Sequence, residues 1–207
     1  MTHVGQGPYR MKNVIAGVCF AMVLCVQANA QTDSNSNADV DPRITSYKDH
    51  NNPENIANEM QRKGNCGEAV PIFRSITANQ IRYEEVQFHL ATCLFSLAKA
   101  QHDAQQAQAL NAEAAEWIVR AADQNIEKAQ AIAVRLYLDG IGVAADPVEA
   151  AKWAYIFHDN GTRLALGEPD LDSALRDRLE AALTGEKRKQ AHARADSWTP
   201  SGEQAEP

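Results

Sequence analysis

The sequence lacks any apolar stretch long enough to cross a bilayer. Its longest uninterrupted apolar run in 207 residues is Val14–Val26, with 13 residues, whereas a spanning helix needs about 20. The chain also lacks segments in which polar and apolar residues alternate, the pattern that predicts a β-strand. These two absences argue against a membrane-spanning domain and against a sheet protein, and they predict an all-α fold.

Basic residues are scarce relative to acidic ones. The chain has 20 Lys and Arg against 27 Asp and Glu, a net charge of −7. Its first 30 residues contain two basic residues and no acidic one, so without them the charge is −9. Nucleic acids and anionic membrane surfaces require a basic face. Neither is therefore an expected partner, and the acidity suits a partner with a basic or mixed surface.

The N-terminus has the composition of a signal peptide. Arg10 and Lys12 precede the apolar run, and Ala28-Asn29-Ala30 supplies the small residues that signal peptidase reads. We predict a signal peptide at 1–30, with cleavage between Ala30 and Gln31 and export to the periplasm or the medium. An uncleaved anchor is the alternative. After cleavage no membrane-spanning segment is expected.

The remaining chain divides by composition. Residues 31–52 are polar and predict a disordered linker, 53–198 predict a helical repeat domain, and 199–207 predict a disordered tail. Asn52-Pro53 is typical of an N-cap followed by the first residue of a helix. The segment 101–111, rich in Gln and Ala, predicts either a helix extension or a loose insertion.

Two cysteines, Cys66 and Cys93, remain beyond the signal peptide. An even number in an oxidising compartment favours a disulfide. Both lie on apolar stripes of two helices joined by a short turn, so the bond would staple a hairpin and close 27 residues. The alternatives are two buried free thiols, a redox-active pair, and a metal or nucleophilic site formed by Cys93 and His89. We favour a disulfide cysteine beside a surface histidine, His89.

The C-terminal part of the chain repeats itself with a period of 36 residues. Glu113–Trp117 (EAAEW) aligns with Glu149–Trp153 (EAAKW), and Asp123 aligns with Asp159. Periods of 20–50 residues are typical of solenoids, in which each repeat is one supersecondary unit.

This stretch resembles the Sel-1-like repeat, a relative of the tetratricopeptide repeat. The residues that carry the resemblance are Ala114, Trp117, Ala121, Ala122, Leu136, Tyr137, Gly140, Gly142, Asp146, Ala150 and Trp153. Asn125 stands where the family has a glycine. The resemblance implies a short right-handed α-solenoid of stacked antiparallel helix hairpins whose concave face binds proteins or peptides.

Motifs that could carry chemistry have structural explanations. Gly140–Ala145 has the letters of a dinucleotide-binding loop, but an amphipathic helix precedes it where that loop needs a strand. We interpret it as a hairpin turn, with Asp146 capping the next helix. Asn160-Gly161-Thr162 spells a glycosylation acceptor and is interpreted as a turn. The histidines are not spaced as metal ligands, so neither a metal nor another cofactor is predicted.

The functional hypothesis is a non-catalytic scaffold that binds a protein or peptide. No combination of nucleophile, base and orienting residue is visible, so no enzyme is predicted. The binding face is expected on the first helix of each hairpin, outside its packing stripe, and the candidates are Arg120, Lys152, Tyr155 and His158. The alternative is a cell-wall-associated protein that binds a glycan or small ligand, or hydrolyses it, in the same groove.

Overall fold

The computed structural model describes residues 51–79 and 84–201. Within these ranges it contains nine α-helices and no strand, so the all-α prediction is confirmed. The helices are α1 (Pro53–Arg62), α2 (Cys66–Asn79), α3 (Glu84–Ala100), α4 (Ala104–Asp123), α5 (Glu127–Asp139), α6 (Pro147–His158), α7 (Gly161–Leu166), α8 (Ser173–Ala182) and α9 (Gly185–Asp196). The predicted signal peptide 1–30, its cleavage site Ala30–Gln31, most of the linker and residues 202–207 lie outside the described residues.

Short polar side chains begin most of these helices. Asn52 Oδ1 accepts the Glu54 N–H at 2.9 Å, and Pro53 is the first helical residue of α1. Asp146 Oδ1 accepts the N–H groups of Val148 and Glu149 at the start of α6. Such caps satisfy backbone donors that have no partner inside the helix, and each contributes about 1 kcal/mol.

Consecutive helices pack against one another from α1 to α6, and α9 then packs on α6. The apolar side chains form two clusters along this stack. The first is centred on large side chains of α2 and α3, including Phe73, Leu90 and Leu94. The second is rich in alanine, with Trp153 as its largest buried side chain. Because alanine takes little room, the helices of the second cluster can approach closely.

A disulfide joins Cys66 of α2 to Cys93 of α3, with 5.0 Å between the Cα atoms, as predicted. Cys93 has no exposed surface and Cys66 is 6% exposed. The free-thiol and metal-site alternatives do not apply to this bonded pair. The expectation of a surface histidine at 89 was wrong: His89 is half-buried, its ring stacks on Phe73 at 6.2 Å, and burial lowers its pKa.

Residues 104–111 form the first part of α4, so most of the segment 101–111 is helical. Asp103 Oδ1 accepts the Gln106 N–H at 2.8 Å and starts this helix separately from α3. The helix passes close to the turn between α5 and α6. A Cβ atom on Gly142 would lie 2.8 Å from the Ala115 Cβ and closer still to the Asn111 carbonyl.

The turn that contains Gly140 and Gly142 follows a helix and no strand. Both glycines have left-handed backbone conformations, with φ of 69° and 70°. The Asp146 N–H donates to the Tyr137 carbonyl at 2.8 Å and closes the loop. A helix before the loop removes the structural context of a dinucleotide-binding motif.

Candidate functional site

A cleft of about 490 Å³ lies between the C-terminal end of α6 and α9. The residues that give it its chemical character are Tyr155, His158, Asp159, His192, Asp196 and Trp198. The first three come from α6 and its C-cap, and the last three from α9 and the chain that follows it. The contact between these two helices therefore creates the cleft.

Two stacked rings form one wall. The rings of Tyr155 and His192 are 3.8 Å apart between centroids and 10° from parallel. Partial burial, and then the Glu180 carboxylate, raise the pKa of Tyr155, while Arg188 opposes this increase. The phenol is therefore neutral at physiological pH and presents a flat, uncharged surface.

Trp198 forms another part of the lining and attaches the segment that follows α9 to the rest of the fold. Its indole N–H donates to Asp123 Oδ1 at 2.9 Å, across 75 residues of sequence, and its ring packs edge-on against Trp153 at 6.0 Å. Three residues further on, the Ser201 N–H donates to the Asp123 carbonyl at 2.9 Å. The described start of the predicted tail is therefore attached to the C-terminal end of α4.

A buried polar network adjoins the cleft, and two of its residues, Asn125 and Asn160, belong to the lining. Asn160 is 4% exposed, and its Nδ2 donates to Asn125 Oδ1 and Gln130 Oε1, both at 2.9 Å. Gln130, which is fully buried, donates from Nε2 to Asn125 Oδ1 at 3.2 Å. Asn125 adopts the left-handed conformation, with φ of 71°, so it keeps the backbone geometry of the family's glycine and adds an acceptor. The amide of Asn160 is occupied in these bonds, which argues against its glycosylation in the folded chain.

Arg163 holds the end of α6 in place. It is 5% exposed, and its guanidinium donates to the carbonyls of Phe157 and Glu168, both at 2.9 Å, and to that of His158. These carbonyls include the last of α6, which have no acceptor role inside the helix. These hydrogen bonds therefore hold the backbone at His158 and Asp159 in place.

His158 is an exposed side chain with one carboxylate partner. Its Nδ1 lies 2.8 Å from Asp170 Oδ2. Partial burial alone would raise the pKa of Asp170, but hydrogen bonds from His158 and the Leu171 N–H and the charge of Arg163 lower it overall. Asp170 therefore stays ionised and orients the imidazole ring.

This histidine and carboxylate could act as a base and its orienting group. The lining includes no Ser, Thr or Cys, but it does include two carboxylates, Asp159 and Asp196. No cluster of three or more His, Cys, Asp or Glu side chains suited to a metal occurs in the described part of the chain. What the lining does provide is aromatic faces, imidazoles and carboxylates, which suit binding.

Of the four residues proposed for a binding face, the structure brings two together in this cleft, namely Tyr155 and His158. Arg120 pairs with Glu116 at 2.5 Å and lies over the Trp117 ring at 4.8 Å. Lys152 is mostly buried, pairs with Glu149 at 2.8 Å and covers the Trp153 ring at 4.0 Å. Both basic side chains therefore contact structural tryptophans and lie outside the cleft lining.

Sequence reasoning missed the half of the cleft that α9 supplies. We assigned this segment only to the helical repeat domain, 53–198. His192 and Asp196 are four residues apart and therefore share one face of α9, beside Ala195. A histidine and a carboxylate on one face, followed by a tryptophan two residues later, was the available signal.

Comparisons with known proteins identify the architecture. The structure is similar to the crystal structure of a protective antigen present in uropathogenic Escherichia coli strains, which displays an SLR (Sel-1-like repeat) fold, with a TM-score of 0.54 and 24% identity. The match covers 74% of this chain and 30% of the antigen chain. No protein-family model and no curated protein matches the sequence. The chain thus has a Sel-1-like repeat fold, an all-α solenoid, as the residues between 114 and 153 predicted.

Proposed function

We propose that this protein is a non-catalytic interaction scaffold that binds a protein or peptide through the cleft between α6 and α9. The observation that carries the proposal is the stacked Tyr155–His192 pair in a preformed cleft. Side chains with few rotatable bonds lose little entropy on binding, so rigid aromatic groups are favoured in recognition sites. The concave face expected from the Sel-1-like resemblance is the surface to which this cleft would belong.

Hydrogen bonds hold the residues in and beside the cleft in place before a partner binds. Asn160 and Arg163 are buried and hydrogen-bonded, and Trp198 is held by Asp123. Binding sites gain affinity when the groups that contact the ligand are already ordered, because less entropy is lost in the complex. The cleft therefore needs no rearrangement of α6 or α9 to receive a peptide.

The proposed location is the periplasm or the extracellular medium. Disulfides persist mainly in oxidising compartments, and the Cys66–Cys93 bond is consistent with export by the predicted signal peptide. No helix among the described residues is long and apolar enough to cross a membrane. A protective antigen with the same fold is compatible with a location outside the cytoplasm.

Crosslinked affinity capture from a periplasmic extract, read by mass spectrometry, tests the scaffold. A protein recovered with the oxidised wild type should be lost with the double variant Tyr155→Ala/His192→Ala, because both faces of the stack are removed. His102→Ala is the control: His102 is an exposed histidine before α4, far along the sequence from the cleft. Equal melting temperatures would show that the variants are folded.

Two results would contradict the proposal. Recovery of the same protein with wild type and the double variant would show that its binding does not use the cleft. Recovery of glycan fragments without any protein would support the alternative, a cell-wall-associated protein that binds a glycan or small ligand.

A further inference from the structure

We propose that the cleft between α6 and α9 recognises a lysine or arginine side chain in an extended basic segment of the partner. This inference rests on the proposed function and specifies the partner's chemistry at the same site. Its grounds are the charge of the lining, the aromatic surfaces, and the position of the two carboxylates in the fold.

The lining has two carboxylates and no Lys or Arg to balance their charge, and its histidines are His158 and His192. Asp159 and Asp196 both line the cleft, and no Lys or Arg does. Neither carboxylate makes an ion pair or a side-chain hydrogen bond within the described residues. Outside the lining, by contrast, Asp170 contacts His158 and Arg176, and Glu180 pairs with Arg188 at 2.5 Å.

Two arginines near the cleft do not change this balance. Arg188 reaches the Tyr155 hydroxyl, but its charge is matched by Glu180. Arg163 lies at the C-terminal end of α6, where the residue is 5% exposed and its guanidinium is bonded to backbone carbonyls. A cation that enters the cleft would therefore meet the carboxylates of Asp159 and Asp196 directly.

The aromatic surfaces suit the same kind of side chain. A Lys or Arg placed over an aromatic face gains from cation–π attraction, and its aliphatic stem packs on the ring. This chain already uses that arrangement three times, with Arg120 over Trp117 at 4.8 Å, Lys152 over Trp153 at 4.0 Å and Arg163 over Phe157 at 5.2 Å. The first two of these cations also pair with a glutamate of their own helix. The cleft has the aromatic rings and the carboxylates, and the cation would come from the partner.

The positions of the two carboxylates disfavour a purely structural role. Asp159 is the C-cap of α6, and Asp196 is the last residue of α9. A helix C-terminus carries partial negative charge, so an acidic side chain there is destabilising unless a cation compensates it. Local costs of this kind are typical of functional positions. The two C-termini bring both negative dipole ends and both carboxylates to one cleft.

The size of the cleft limits what can enter. Its volume of about 490 Å³ is in the range of small-ligand sites. It can hold one or two side chains of a partner. A short extended segment with a basic residue satisfies both the size and the charge.

The probes are two five-residue peptides, acetyl-Gly-Gly-Arg-Gly-Gly-amide and the same peptide with citrulline, which has the shape of arginine without its charge. Each is titrated to millimolar concentration into the oxidised full chain, and the indole N–H signals of its three tryptophans are followed by NMR. We expect the arginine peptide to shift the Trp198 signal and to leave that of the buried Trp153 almost unchanged. The citrulline peptide should shift neither signal, and added salt should weaken the arginine peptide's binding.

The matched variants are Asp159→Asn/Asp196→Asn and, as control, Asp177→Asn, which changes an exposed carboxylate of α8. We expect the double variant to bind the arginine peptide roughly fivefold more weakly, and the control to bind as wild type. The double variant should also melt at a higher temperature, because two unfavourable helix-terminal charges are gone. A structural role for these carboxylates would give the opposite shift in melting temperature.

Failure of this inference is distinguishable from failure of the scaffold. If both peptides bind equally, or neither binds, the cationic ligand is overturned. The captured partner can still depend on Tyr155 and His192, in which case the scaffold stands. A shift of the Trp198 signal by N-acetylglucosamine oligomers alone would replace the basic segment with a glycan.

Discussion

The two halves of the described chain are stabilised by different means. In the N-terminal half, α1 to α3, large apolar side chains such as Phe73 and Leu90 surround a disulfide. In the C-terminal half, α5 to α9, alanines surround Trp153, and the buried residues include Gln130, Asn160 and Arg163. The helix α4 packs on both halves.

The N-terminal half is constrained by a covalent bond, whereas the C-terminal half is constrained by buried hydrogen bonds. A disulfide restricts the unfolded chain and requires little of its neighbours beyond the right spacing. A buried polar network stabilises only if each donor and acceptor finds its partner, so it fixes one arrangement of the backbone. The cleft lies in the half with the network. Its geometry therefore depends on hydrogen bonds that single substitutions can remove.

Reduction of the disulfide should give the largest loss of stability and should act first on the N-terminal half. A loop of 27 residues contributes roughly 3–4 kcal/mol in the chain-entropy description. Urea unfolding of wild type with and without reductant measures this loss, and Cys66→Ala/Cys93→Ala should not respond to reductant. In hydrogen exchange, protection should fall in α2 and α3 before it falls in α6 and α9. A simultaneous loss in all four helices would show that the halves do not differ in this way.

The next prediction compares the stability lost when one glycine from each half is replaced by alanine. Gly142→Ala should cost at least about 2 kcal/mol, because its Cβ would contact the Asn111 carbonyl and the backbone is left-handed. Gly64→Ala is the matched control: its φ is +82°, but nothing lies within 4 Å of an added Cβ. Gly64→Ala should therefore lower the free energy of unfolding by about 1–2 kcal/mol, because only the strain of a left-handed alanine remains. Equal losses in thermal unfolding would mean that α4 can move away from the turn.

The sequence predicted what is local or periodic. Helical stripes, the caps Asn52 and Asp146, and the 36-residue repeat depend on neighbours a few residues away, or on spacing that repeats. The helix over 104–111 was left open because Gln and Ala give no apolar stripe. Asp103 followed by Gln106 was an available start signal, since the capping side chain bonds the residue three positions later.

The cleft could be predicted only in part because it depends on contacts without a fixed spacing. Tyr155 and His158 were accessible as exposed positions of a repeat helix. The short α7 and α8 interrupt the period, so nothing in the spacing places His192 on Tyr155 or Trp198 on Asp123. The polar network beside the cleft was missed for a related reason. Gln and Asn are usually exposed, so the burial of Gln130 and Asn160 becomes visible only in the packed structure.

Asn160→Ala should destabilise the C-terminal half by about 1–3 kcal/mol, because it removes the cap of α7 and leaves Gln130 Oε1 without this donor. Asn125→Gly is the informative comparison. It removes a hydrogen-bond acceptor, but glycine adopts the left-handed conformation without the strain that a side chain causes there. Because these effects oppose each other, the loss of stability should be smaller than for Asn160→Ala. A double-mutant cycle with Gln130→Ala in urea unfolding should show coupling. Additive losses would mean that the amides do not act as one network.

The smallest expected effect concerns an ion pair between α2 and α4. Arg74 donates to Glu113 through Nε at 2.8 Å and through Nη2 at 2.6 Å. The hydrogen bond from Arg74 lowers the pKa of Glu113, although partial burial opposes it. A carboxyl whose pKa is lower in the folded state stabilises the fold above its unfolded pKa, about 4.3, and loses this contribution as pH falls through the folded pKa. Because the side chains of Arg74 and Glu113 are 47% and 31% exposed, solvent screens the pair and its contribution should be below about 1 kcal/mol.

Glu113→Gln isolates that contribution from other acid effects. Wild type and variant are unfolded in urea at pH 7 and again below the folded pKa of Glu113, with the disulfide intact. The stability difference at pH 7 should shrink at low pH, because the protonated carboxyl of wild type then resembles the neutral amide. The same comparison with Glu116→Gln, whose partner Arg120 lies on its own helix, should give a smaller difference, since that pair links no second helix. If the Glu113 difference is unchanged by pH, the charge of Glu113 adds nothing to the stability of the fold.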